Sequence, residues 1–242
     1  MSPPPPVIFI HGFIGALAPD FPLPHASPDM YGYGKHQDAP FEAITLPNQV
    51  EYLRVFVDEH FHGGPVDLVG HSVGGAIAML FAYAYPEAVR RIVNIEGNFT
   101  LADAFWSASV GRMSQGEAEA LLDGFRADPA AWVARSVTTP KPEFEAVAAQ
   151  WLDFQSASTL RAMGQSVVSV TGDSSYLQAL AKVFDERPVY LLSGERSHDG
   201  WHVPDWALQK CAGRLTLAGC GHLMMLDDPQ AFSAALEQFL TE

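Results

Sequence analysis

The chain has 242 residues, 48% of them hydrophobic and 17% charged, with a formal net charge of −14. That size and balance suit one α/β domain with an insertion and a substantial core, and they exclude a disordered chain. The acidic surplus, with no basic patch to neutralise phosphates, excludes nucleic acid as a partner, and no apolar run is long enough for a membrane span.

Met1-Ser2-Pro3-Pro4-Pro5-Pro6 lacks the basic and apolar regions of a signal peptide and reads as a stiff polyproline lead-in. The only cysteines, Cys211 and Cys220, are too few for a disulfide framework and point to reduced thiols in a cytoplasmic protein. Residues 7–10 form an apolar run of strand length that ends in His11-Gly12-Phe13-Ile14-Gly15. A proline-rich stretch with short, poorly marked elements leads to the turn Asp29-Met30-Tyr31-Gly32-Tyr33-Gly34. Residues 46–60 carry a helical stripe of Val50, Leu53, Val57 and Phe61. Residues 65–69 predict a buried strand, residues 76–85 a helix stopped by Pro86, and residues 91–96 a strand ending on a carboxylate.

Strand signals nearly vanish over residues 98–183, where helical segments at 117–125, 129–137 and 143–154 follow one another. The βα alternation then resumes, with strands at 188–194 and 214–217, helices at 205–211 and 229–240, and the loop Gly219-Cys220-Gly221-His222. Residues 1–97 and 184–242 therefore read as one α/β core, interrupted by a helical cap over 98–183. Repeated βα units predict a mostly parallel sheet with helices on both faces.

Gly70, Ser72 and Gly74 have the G-x-S-x-G spacing, between an expected strand and an expected helix. A serine held on so sharp a turn crowds the positions two before and two after it, and glycine relieves the crowding. Together with His11-Gly12-Phe13, the 29–34 turn and Gly221-His222 before the last helix, this elbow resembles the α/β-hydrolase family across essentially the whole chain. The family's N-terminal antiparallel strands have no counterpart, so the resemblance implies a trimmed sheet of about six strands.

The resemblance makes Ser72 the nucleophile and His222 its general base, with the backbone N–H groups of Val73 and Phe13 as oxyanion donors. The acid departs from the commonest pattern. The family's usual Asp lies three residues after the glycine ending the penultimate core strand, here Gly194, and that place holds Ser197. The family's other placement, the end of the strand after the elbow, holds Glu96, with Asp199 and then Glu195 as the alternatives. His198 and His202 with Asp199 mimic metal-ligand spacing, but no third cluster supports a metal, and no cofactor is implied.

Among the cap's Phe99, Phe105, Trp106, Met113, Trp132, Trp151 and Phe154, most are expected to pack the cap onto the core and one or two to face substrate. Leu223 and Met224, directly after His222, join Trp106 as expected substrate contacts. The expected chemistry is cleavage of a small to medium apolar ester, thioester or lactone through an acyl-enzyme. The competing readings are a carbon–carbon bond hydrolase, a haloperoxidase-like enzyme, and a non-catalytic receptor that kept the triad. A lyase is a fourth, because the 11–15 loop looks like that of the menaquinone-pathway synthase. The small-molecule substrate is the only expected partner, and nothing in the sequence fixes an oligomeric state.

Overall fold

β1 (Val7–Ile10) is buried at all four positions and divides its side chains between two cores. Ile8 and Ile10 face one side of the sheet, Val7 and Phe9 the other, as the two-residue period of a strand requires. That double burial is why the run is continuously apolar rather than alternating. The computed structural model describes residues 4–241; residues 1–3, where the expected polyproline lead-in begins, and residue 242 lie outside the described residues.

After β1 the chain forms a two-residue edge strand, β2 (His25–Ala26), and then α1 (Leu46–Phe61), whose Thr45 N-cap accepts from the Asn48 N–H at 3.2 Å. β3 (Val66–His71), α2 (Val73–Ala84) and β4 (Val89–Ile95) follow. Six helices then separate β4 from the next strand: α3 (Phe105–Gly111), α4 (Gln115–Ala127), α5 (Pro129–Ala134), α6 (Glu143–Asp153), α7 (Ala157–Thr171) and α8 (Ser174–Glu186). β5 (Val189–Gly194), α9 (Asp205–Lys210), β6 (Gly213–Leu217), α10 (Met224–Asp227) and α11 (Pro229–Thr241) complete the fold.

The six strands form one parallel sheet in the order β2-β1-β3-β4-β5-β6. The sixth strand of the expected sheet is β2, which the proline-rich stretch conceals: two residues are too few to show any period. α1 and α2 cover the face of Ile8, Leu68 and Ile92, while Phe232, Leu236 and Phe239 of α11 cover the face of Val7, Val69 and Val93. α8 runs through the expected cap boundary at 183, ends at Glu186, and packs against α2 and α9. Its Tyr176, Leu180 and Val183 belong to the same core as α2.

α3 and α7 cross almost backbone to backbone. A Cβ on Gly164 would stand 2.4 Å from the Ser107 carbonyl oxygen, and one on Gly111 would stand 2.6 Å from the Gln165 nitrogen. No helix among the described residues is long and apolar enough to cross a membrane.

Candidate active site

The chain enters the sheet at β1, steps outward to β2, then crosses back to β3, so strand order reverses between β1 and β3. In open parallel sheets a crevice forms at the carboxyl ends of strands at such a reversal. The loop after β1 and the turn after β3 both open there. Ser72 occupies that turn with φ 54° and ψ −123°, a conformation an L-residue rarely adopts, and its N–H donates to Ile95 O at 2.9 Å. Tight packing enforces the glycines beside it. A Cβ on Gly74 would lie 2.2 Å from the Ile10 carbonyl oxygen, and one on Gly70 would lie 2.4 Å from that of Gly74.

The loop from His11 to Gly15 is clamped by Tyr33 and Gln155, which pair with each other in an isolated antiparallel bridge. The Tyr33 hydroxyl donates to the Phe13 carbonyl (3.1 Å), and the Gly15 N–H donates to Gln155 Oε1 (2.9 Å). Phe13 and Val73 both line the cavity in front of Ser72. Val73 is the first residue of α2, where a backbone N–H has no intrahelical acceptor, so that group is free for a ligand at the positive end of the helix.

Glu96 follows β4 directly, with a left-handed φ of 45°. Its Oε2 lies 2.5 Å from His222 Nδ1, while Oε1 accepts from the Gly194 N–H at 2.8 Å and the Ser197 hydroxyl at 2.5 Å. Burial pushes this carboxyl up, but the bonds from His222, Ser197 and Gly194 prevail and hold it below the usual carboxylate range. Glu96 is thus a buried, fully partnered anion, and its bond to Nδ1 leaves Nε2 of His222 as the nitrogen not committed to Glu96.

Two neighbouring histidines are kept neutral. His71 donates from Nε2 to the His222 carbonyl at 3.0 Å, and burial, helped by repulsion from His222, lowers its pKa to about 3. His11 is buried beneath Tyr33, and burial lowers its pKa to about 4.

A sequence profile of the alpha/beta hydrolase family matches residues 7–235. The chain belongs to that family. Lipase LipV of Mycobacterium tuberculosis is 39% identical over 75 residues, a stretch that covers 31% of this chain and 27% of LipV. The 2-succinyl-6-hydroxy-2,4-cyclohexadiene-1-carboxylate synthase of Enterobacter sp. is 27% identical over 250 residues, covering 97% of this chain and 91% of the synthase. Among solved structures, an esterase from Exiguobacterium antarcticum superposes with a TM-score of 0.70 at 19% identity, covering 100% of this chain and 94% of that one.

This α/β hydrolase brings Ser72, Glu96, His222, Phe13, Val73 and Trp106 to one cavity of about 320 Å³. Leu223 lines an adjoining space of about 260 Å³ that shares Ser72, His222 and Trp106. Met224 is a correction. Its side chain is fully buried in the core beside α11, and it lines neither of these two spaces. Asp199 is exposed on a short 3-10 turn, and Glu195 caps the Gly219 N–H at 2.7 Å; neither reaches His222.

Of the aromatics expected in a cap, Phe105, Trp106 and Trp132 line the two spaces. Phe99 is buried in the core, Trp151 covers Gly15, and Phe154 packs on His11. The sequence reading missed Asn98, Phe125, Arg135 and Trp201, which also line this space. Trp201 had a signal, since it follows the strand ending at Gly194 on the loop where the family's acid usually stands.

Proposed function

We propose that this protein is a serine hydrolase that cleaves a small to medium carboxylic ester, thioester or lactone through an acyl-enzyme on Ser72. The observation that carries the reading is the Glu96–His222 pair facing the same cavity as a serine on a strained elbow. Glu96 fixes the His222 ring with its proton on Nδ1, so Nε2 can take the Ser72 proton as Oγ bonds to the substrate carbonyl carbon. The oxygen of that carbonyl gains negative charge beside the Val73 and Phe13 N–H groups. As the tetrahedral carbon collapses, His222 returns the proton to the departing alcohol or thiol. Water then repeats the sequence on the acyl-enzyme and releases the acid.

The match to the Enterobacter synthase along nearly the whole chain favours a second reading, a lyase or carbon–carbon bond hydrolase using the same three side chains. The two readings separate on simple substrates. Fluorophosphonate should label Ser72, and short p-nitrophenyl esters should turn over and lose that turnover in Ser72→Ala. Labelling without ester turnover would favour the second reading, and absence of any adduct on the folded protein would defeat both.

A further inference from the structure

His222 stands on a loop whose backbone has little stiffness of its own. Gly219 holds a left-handed φ of 70°, and a second glycine, Gly221, directly precedes the histidine. The His222 side chain is 40% exposed, so packing alone does not fix it. Glu96 holds the ring at Nδ1, and the backbone is held separately. His71 donates to the His222 carbonyl, and on the other side Asp227 Oδ2 accepts from the Gly221 N–H at 2.7 Å.

Asp227 ends α10, and its second oxygen reaches a distant part of the chain. Oδ1 accepts from the Thr138 N–H at 2.5 Å, across 89 residues, in the segment that follows α5. The Thr138 hydroxyl donates to the Gly219 carbonyl and lies 3.4 Å from Asp227 Oδ2. The Ser136 backbone packs on the same loop: a Cβ on Gly221 would stand 2.9 Å from the Ser136 carbonyl oxygen. Ser136 also lines both spaces beside Ser72. One short segment therefore walls the space in front of the serine and grips the loop of His222. Asp227 and Thr138 themselves line neither space.

Asp227 is half-buried and Thr138 exposed, so water could serve these donors if folding alone were at stake. What the carboxylate adds is a fixed place for the residue next to His222. Resting on the ester-hydrolase reading, the structure assigns Asp227 and Thr138 as positioning residues for His222. Together they tie the segment after α5 to the loop after β6, and so fix the place from which Nε2 takes the Ser72 proton.

The test combines fluorophosphonate labelling, read as both stoichiometry and rate constant, with turnover of p-nitrophenyl butyrate. Asp227→Ala should lower kcat per labelled site and the labelling rate constant about 10- to 100-fold, the scale of a small misplacement of a reacting group. KM should stay within about twofold, because the lost side chain lines neither space. Thr138→Val keeps the backbone bond to Asp227, and should lose about two- to fivefold in the same two quantities. Its exposed position lets it decide the matter if the alanine variant does not fold. In any variant that folds, native kcat and labelling rate per labelled site would overturn the proposal, even with fewer sites labelled, since the bonds would then serve the fold alone. A raised KM with unchanged kcat would overturn it too. An unlabelled native enzyme removes the ester-hydrolase reading and this inference with it, whereas a labelled one with unaffected variants removes only the roles of Asp227 and Thr138. If the native enzyme is labelled but turns over no ester, the labelling rate constants still decide.

Discussion

Glu96 contacts the His222 ring at 2.5 Å, and in the proposed triad it serves as the acid. Ser197 stands where the family's commoner acid would be, and its hydroxyl donates to the Glu96 carboxylate. The absence of a carboxylate at 197 was legible in the sequence, as was a carboxylate ending a buried strand at 96. The hydrogen bond between the two was not, because it depends on how the loop after β5 folds back over β4. Glu96→Gln keeps the shape of the side chain and removes the charge that orients the imidazole. Turnover of a p-nitrophenyl ester should fall on the order of 10³–10⁴-fold, by analogy with acid-to-amide changes in serine proteases. Asp199→Asn, on the exposed turn, should leave turnover within about twofold of native, since surface changes away from such features have small effects. A fully active Glu96→Gln beside an inactive Asp199→Asn would transfer the role to Asp199.

At the level of elements, strands and helices with a strong period were readable, and contacts between elements were not. The buried runs that became β1, β3, β4 and β5 announced themselves by apolar continuity, and α2 by its alanines and the proline after it. The burial of Met224 was hidden, because a residue's direction at the start of a four-residue helix follows from the preceding loop. The α3–α7 crossing was also hidden, since glycine inside a helical stretch reads locally as a weakness rather than a contact. α3 carries Trp106 and Ser107 into the cavity wall, so the crossing sets the width of the site. Gly164→Ala would press a methyl group against the Ser107 carbonyl and force the helices apart. Such overpacking should cost about 1–3 kcal/mol in urea unfolding, and displacement of Trp106 should raise KM more than it lowers kcat. An unchanged stability and KM would mean that α3 shifts freely over α7.

For the molecule as a whole, two buried histidines tie folding to pH. His11 and His71 have pKa values lowered by burial to about 4 and about 3, against an unfolded value of 6.5. Between those limits the unfolded chain binds more protons than the folded one, so stability is fully present above pH 6.5 and is lost as pH falls. Each histidine contributes a slope of about 1.4 kcal/mol per pH unit while only its unfolded form is protonated. Urea midpoints at pH 7, 6 and 5 should therefore decline, steeply between the last two. A flat profile would show that one or both rings charge without unfolding the protein. The same architecture has a consequence for biosynthesis. Ser72 and Glu96 directly follow the adjacent strands β3 and β4, but 126 residues separate Glu96 from His222. A nascent chain therefore exposes Ser72 well before His222 is synthesised, and on the proposed mechanism the site is complete only once the loop after β6 has docked.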